Sequence, residues 1–337
     1  MKYRKLGNSD ITVSEIGIGT WELSGDVWGP TKDETSKAAI LAGVEEGANF
    51  IDCAAGYGGG HVEELLGGMF ERGDLKRDTT IISTKVKPQN GVFAPAAEVP
   101  IDDAYAPQWI RSQLEESLRR LRTDYVDMLF IHTWSKAWDA REEWAECLQD
   151  LKEKGLARSV GISVPDEGAS DANTHIEAGR IDVIQLVFSA FQQEPEYTVL
   201  PLAAKHGIGV IARSPYSSGA IVQPWTPDKE FAEGDWRASW PLSVKPGWLE
   251  DQAAMSELIQ GAFVRHGVAF TTGALGYVLN QSAVSSTIPG SAIPDHVREN
   301  MRVSGASTLP EGLTDELKGL WMERRLHGTY NLSLIHI

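Results

Sequence analysis

Eight short apolar segments, alternating with stretches of helical spacing, constrain the fold of this chain more than any other feature. They are residues 15–19, 49–52, 80–85, 126–132, 159–163, 183–186, 209–213 and 284–288. Strands that alternate with helices predict a parallel sheet, because parallel neighbours need a crossover long enough to hold a helix. Residues 107–121 place Ile110, Leu114, Leu118 and Leu121 on one helical face, and residues 141–154 do the same with Trp144, Leu148 and Leu151. Residues 37–46 form a third such stretch. Eight strands in strict alternation favour a closed (β/α)8 TIM barrel over an open doubly wound sheet, which usually has fewer strands and a glycine-rich first turn. The 337 residues suit one barrel of about 250 residues with insertions.

Some segments fall outside the repeat. Residues 1–13 carry a turn at Gly7-Asn8-Ser9-Asp10 and predict a β-hairpin that plugs the bottom of the barrel. The connections at 88–105 and 214–247 are long, and predict loops over the active face. Trp225, Trp236 and Trp240 argue that the second loop is ordered. Residues 1–330 read as a single domain, and 331–337 as a tail without capping or turn residues, set aside from the fold.

The formal net charge of −16 repels nucleic acid and anionic membrane, so neither is an expected partner. No stretch approaches the ~18 apolar residues of a membrane span. Met1-Lys2-Tyr3-Arg4-Lys5 leads into no apolar run, so no secretory leader is expected. Cys53 and Cys147 are too few for a disulfide framework and read as buried thiols of a cytoplasmic protein. Nothing in the composition speaks to oligomeric state.

Asp52, Lys85 and His132 end the second, third and fourth strand segments, and Tyr57 follows in the loop Cys53-Ala54-Ala55-Gly56-Tyr57-Gly58. In a barrel the downstream strand ends meet on one face, so these four converge. A phenol titrates near pH ~10, too high for an efficient proton donor. A nearby ammonium stabilises the phenolate and lowers that value. An aspartate keeps the lysine charged, and a histidine can hydrogen-bond a substrate oxygen. The set suits protonation of a carbonyl oxygen as it becomes an alkoxide. Each residue alone has a plainer reading: a loop-anchoring Asp, a rim Lys, a structural His. Their joint placement is the signal.

Other motifs fall short. Gly56-Tyr57-Gly58-Gly59-Gly60 lacks both phosphate-loop spacings and reads as a tight turn presenting Tyr57. His61 and Glu63 are two apart, a poor ligand spacing, so no metal is expected. No G-x-S-x-G elbow occurs. Trp21, Trp28 and Trp134 lie on strand-following loops and are candidates to line a substrate pocket for a sugar-like or aromatic ligand.

The chain resembles the aldo-keto reductase superfamily, in its bacterial-type form. The resemblance rests on Phe50-Ile51-Asp52-Cys53-Ala54-Ala55-Gly56-Tyr57-Gly58, Glu63-Glu64-Leu65-Leu66-Gly67, Ser83-Thr84-Lys85, Ile131-His132, Gly161-Ile162-Ser163 and Ile288-Pro289-Gly290-Ser291, and runs in order over residues 1–325. It implies a (β/α)8 barrel and hydride transfer between a nicotinamide cofactor and a small carbonyl compound or alcohol. Tyr57 would be the general acid–base, Lys85 its pKa partner, Asp52 the counter-ion of the lysine, and His132 the residue that orients substrate. The resemblance also implies that Gly19, Thr20 and Trp21 meet the nicotinamide end and that Ser163 and Gln185 bond its carboxamide. Arg213 would stack on the cofactor ring. Ser214, Ser217 and Gly219 would follow the pyrophosphate, with Gly290, Ser291, Arg298, Glu299 and Asn300 at the far end. NADP(H) is the implied first choice and NAD(H) the alternative, since Arg298 is the one fixed cation near the 2′-phosphate position and Asp295 opposes it.

Two other readings remain open at this point. Lys85 could form a Schiff base, as in a lyase, although a paired Asp52 would hold the amine protonated. The chain could also be a non-catalytic, cofactor-bound module that senses redox state.

Overall fold

The computed structural model describes residues 1–93, 98–238, 247–305 and 309–326. Trp240 and the tail 331–337 lie outside the described residues. The chain opens with an antiparallel hairpin of β1 (Tyr3–Lys5) and β2 (Thr12–Ser14). Eight parallel strands follow: β3 (Ile18–Gly19), β4 (Phe50–Asp52), β5 (Ile81–Val86), β6 (Val126–His132), β7 (Ala157–Ser163), β8 (Val183–Val187), β9 (Gly209–Arg213) and β10 (Ser286–Thr287). Each pairs with the next in sequence. Bridges Ile16 to Thr287 and Gly19 to Gly290 join the two ends, so the expected (β/α)8 barrel closes. The first and last strands are shorter than their apolar runs. At this seam Pro289 has no N–H to continue a ladder, while its carbonyl still accepts from Gly19 at 3.2 Å.

Alternation along the strands separates two cores. Phe50, Met128, Phe130, Val183, Ile211 and Ile288 point into the barrel and pack on Leu6, Ile11 and Val13 of the hairpin. Leu129 and Ile131, one residue out of phase, join the larger core between sheet and helices. The hairpin plugs the end where the strands begin: Asn8 N–H donates to Gly207 O at 2.7 Å, just before β9. Gly7 sits at φ 54°, and a Cβ there would lie 2.3 Å from Gly207 O, so this close approach requires glycine.

The helix Pro107–Leu121 has the expected bounds. The first helix starts at Asp33, earlier than its apolar spacing suggests, with Asp33 and Glu34 in a first turn that favours negative charge. Another starts at Glu143 rather than 141, because Arg141 is engaged by Asp102 and Glu143 instead. Among the described residues no helix is long and apolar enough to cross a membrane.

Both long connections lie at the downstream end. The first carries the short helix Ile101–Tyr105 and is pinned by Trp138 Nε1, which donates to Val99 O at 2.8 Å. The second crosses to the loop after β3, where Trp236 N–H donates to Val27 O at 2.8 Å and Asp235 bridges Trp28.

Candidate active site

Parity along the strands places the functional side chains. Asp52, Ser83, Lys85, His132, Gln185 and Arg213 continue the inward rows of Phe50, Ile81, Phe130, Val183 and Ile211 by steps of two. Register then sets neighbours side by side: Gly19 opposite Asp52, Asp52 opposite Ser83, His132 opposite Ser163, Ser163 opposite Gln185.

Lys85 is the hub. It is fully buried, and its Nζ donates to Asp52 Oδ2 at 2.7 Å, Cys53 O at 2.8 Å and Tyr57 Oη at 3.2 Å. Those three acceptors use all three ammonium hydrogens. Asp52 is buried too, and its second oxygen accepts from Ser83 Oγ at 2.6 Å and Gln185 Nε2 at 2.8 Å. Burial alone would lower the lysine pKa, but Asp52 and Tyr57 outweigh it and hold the ammonium above the usual lysine range. A lysine held protonated is a poor Schiff-base nucleophile.

Tyr57 behaves differently from the simplest expectation. Burial pushes its phenol above the usual tyrosine range, and Lys85 offsets only part of that. The tyrosine is therefore a neutral donor near pH 7. Burial, then Lys85 and Arg213, hold His132 well below the usual histidine range, so its imidazole is neutral. Its Nδ1 is buried without a hydrogen-bond partner. The imidazole stands edge-on to the Tyr57 ring at 6.1 Å.

Several positions expected to touch the cofactor have features that fit a nicotinamide nucleotide. Ser163 Oγ is buried without a partner, an unspent group where a carboxamide is expected. A Cβ on Gly19 would lie 2.6 Å from Ile288 O, so the close backbone approach at the seam requires glycine there, and one on Gly290 would lie 3.2 Å from Glu22 Cδ. Ser214, Ser217 and Ser218 hold left-handed φ values of 56°, 46° and 58°, followed by Gly219 at 99°. Non-glycine residues there store strain, while within the turn Ser217 N–H donates to Ser214 O and Gly219 N–H to Tyr216 O, both at 3.0 Å, and Ser217 Oγ donates to Gln252 Oε1 at 3.0 Å.

Other expected contacts are already spent inside the protein. Gln185 is tied to Asp52. Thr20 Oγ1 donates to Asp52 O at 2.7 Å. Arg213 bonds Val164 O at 3.0 Å and Asp166 at 2.8 Å. Ser291 Oγ accepts from Ile293 N–H at 3.1 Å, Glu299 from Thr271 at 2.8 Å, and Asn300 from Tyr216 Oη at 2.6 Å. Arg298 pairs with Glu45 at 3.0 Å and Asp295 at 3.5 Å.

The aromatic wall needs one correction. Trp21 is 38% exposed and lies 6.5 Å from the Tyr57 ring, with Trp28 edge-on to it at 5.3 Å. Trp134 does not line an open pocket. It is fully buried among Trp138, Trp144 and His175, because its side chain turns into the outer core. Two aromatics that sequence reasoning did not place take part instead. Trp236 packs on Trp21 at 5.5 Å, and Phe93 lies 5.2 Å from His132. Both come from the long connections, where no period predicts orientation. Ser83 was findable, being two residues before Lys85 on the same face.

Residues 15–321 match the profile described as Aldo/keto reductase family. The chain belongs to the aldo/keto reductase family. It is 29% identical over 308 residues to aldo-keto reductase YhdN of Bacillus subtilis, covering 90% of this chain and 89% of that one. It is 29% identical over 310 residues to the NADH-specific methylglyoxal reductase of Escherichia coli, covering 89% and 93%. Among solved structures, the glycerol dehydrogenase AKR11B4 of Gluconobacter oxydans superposes with a TM-score of 0.74 at 26% identity, covering 99% of this chain and 98% of that one. Aldo-keto reductase AKR11C1 of Bacillus halodurans superposes with a TM-score of 0.75 at 24% identity over 95% of this chain and 96% of that one, a likeness of fold. The family's chemistry is carbonyl oxidoreduction with a nicotinamide cofactor, on small molecules.

Proposed function

We propose that this aldo/keto reductase interconverts a small aldehyde or ketone and its alcohol, with Tyr57 as the general acid–base. The observation that carries the reading is the 3.2 Å hydrogen bond from a buried, charged Lys85 to the Tyr57 hydroxyl. A bound nicotinamide supplies the hydride. Tyr57 Oη gives its proton to the carbonyl oxygen as that oxygen gains charge. Lys85 stabilises the phenolate left behind, in a site where low dielectric strengthens the interaction. Asp52, fixed by Ser83 and Gln185, keeps Lys85 charged and aimed. Neutral His132 donates a hydrogen bond to the substrate oxygen and orients it. In the reverse direction Tyr57 takes the proton from the alcohol.

Ser163 and the turn at 214–219 are the groups that hold the cofactor. NADP(H) is the proposed preference, with Arg298 as the cation for the 2′-phosphate; its pairing with Glu45 and Asp295 keeps NAD(H) as the alternative. The open aromatic wall of Trp21, Trp28, Phe93 and Trp236 suits a sugar- or polyol-like substrate, and the methylglyoxal and glycerol named for two relatives are small and oxygen-rich. Cys53 and Cys147 are both buried free thiols, in keeping with a cytoplasmic setting.

Fluorescence titration with NADPH and with NADH tests this directly, because Trp21 lies 6.5 Å from the Tyr57 ring, beside the proposed nicotinamide position. Saturable quenching by both is expected, with NADPH tighter. Equal or tighter NADH binding would overturn the NADP preference. No binding of either would overturn the oxidoreductase reading itself.

A further inference from the structure

We propose that Glu63 and Arg120 are positioning residues that set the distance between Tyr57 and Lys85. The inference rests on the reading of Tyr57 as general acid–base. The two groups of the proton-transfer pair come from different elements: Lys85 from β5, and Tyr57 from the loop that feeds the helix His61–Arg72. On its near side that loop is tied to β5 by backbone, with Cys53 N–H donating to Ser83 O at 3.0 Å and Ala55 N–H to Lys85 O at 3.3 Å. Beyond Tyr57 come Gly58, Gly59 and Gly60, all with positive φ, which offer no side chain to hold the turn.

Glu63 supplies that hold. It is fully buried in the first turn of the helix, and each carboxylate oxygen has one partner. One accepts from Thr84 Oγ1 at 2.5 Å, and the other from Arg120 Nε at 2.6 Å. Thr84 precedes Lys85, and strand alternation that turns Lys85 inward turns Thr84 outward to this helix. Arg120 comes from the helix Pro107–Leu121 and also takes Glu116 through Nη1 at 3.0 Å. Its side chain forms the seat of the turn. A Cβ on Gly60 would lie 2.8 Å from both Cδ and Nε of Arg120. The pair therefore fixes the far end of the Tyr57 turn against the strand residue next to Lys85.

Stability alone does not account for such a pair. Well-packed apolar side chains in the place of a buried ion pair are often as stable or more so, because desolvating two charges offsets their attraction. Carboxylate and guanidinium, unlike apolar groups, impose direction. A purely structural role predicts that an apolar pair serves equally well; a positioning role predicts a folded protein with a displaced tyrosine.

The double variant E63L/R120M separates the two. The proposal expects a folded protein whose kcat falls on the order of ten- to a hundredfold, the size of loss that ångström-scale misplacement produces. Substrate KM and NADPH affinity are expected to stay near wild type. In the alcohol-oxidising direction, which needs the phenolate, the rise of kcat with pH is expected to move to higher pH as Lys85 loses its hold on Tyr57. Glu63→Gln keeps one acceptor oxygen for Arg120 Nε and puts an NH2 donor toward Thr84 Oγ1, so the charge is lost and one contact reverses, and its kcat is expected between the two. Wild-type kcat and pH profile in the folded double variant would overturn the proposal. If that variant does not fold, Thr84→Val decides: it removes only the tether to β5, and unchanged kcat and pH profile there would overturn the proposal, whereas the same two changes would support it. Tyr57→Phe in the same assay keeps the outcomes apart. Full activity in that variant would sink the role of Tyr57 whatever Glu63 does.

Discussion

At Tyr57 two opposing fields meet. Burial raises the phenol pKa, and the Lys85 ammonium at 3.2 Å pulls it down without cancelling the burial. The phenol thus stays protonated up to and past its ordinary value of 10.0. Carbonyl reduction uses the protonated form, so its kcat is expected to be flat across neutral and mildly alkaline pH. Alcohol oxidation uses the phenolate, so its kcat is expected to climb throughout the same range. Steady-state rates in both directions against pH check this, and a reduction rate that falls between pH ~7 and ~9 would show that another group limits proton transfer. The proposed catalytic set was legible because Asp52, Lys85 and His132 close apolar strand segments and Tyr57 follows one in its loop. The partners of Asp52 were legible only in part. Ser83 follows from period two, but Gln185 becomes an Asp52 ligand through closure of the barrel, which brings β8 opposite β4.

The elements divide along the same line. Strand existence and order were readable from apolar runs, as was the hairpin, whose Leu6, Ile11 and Val13 fill the barrel from below. The seam was not, since strand ends there depend on Pro289 and on isolated bridges rather than on apolarity. The loops were readable only as long. Trp134 looked available because it follows a strand, yet it turns into the outer core. Trp236 reaches the wall because its segment bridges to Trp28, with Arg237 stacked over the Trp28 ring at 4.6 Å. Aromatic pairs contribute about 0.5–1.5 kcal/mol beyond area burial, so Trp236→Ala is expected to raise substrate KM by about two- to tenfold, more than it lowers kcat. Steady-state kinetics with a polyol or sugar substrate would show it; an unchanged KM would remove Trp236 from the pocket.

For the whole molecule, buried titratable groups pull stability in opposite directions near neutrality. Burial holds His132 and His175 below their ordinary 6.5. Below that value the unfolded chain binds more protons than the folded one, so their contribution is present above pH 6.5 and lost as pH falls. Burial pushes Glu22 up to about 7 from 4.5, with Arg237 opposing and Asp235 adding. Between those values the folded state binds the extra proton, so the contribution of Glu22 is lost as pH rises through about 7. Denaturant unfolding at pH ~5.5 and ~7.5 is expected to show a larger gain with pH in Glu22→Gln than in wild type, and a smaller one in His132→Gln. Identical gains in all three proteins would contradict these burial effects.

The proposed reaction turns on one proton, which burial keeps on Tyr57 Oη and the Lys85 ammonium helps it to release. Its most direct test is a single turnover: protein loaded with NADPH is mixed with methylglyoxal, and loss of the reduced nicotinamide absorbance is followed in wild type and Tyr57→Phe. Wild type is expected to oxidise the bound cofactor, and the variant to do so at a rate lower by roughly 10²–10⁴ with NADPH binding intact. Equal rates in the two proteins would contradict the proposed reaction.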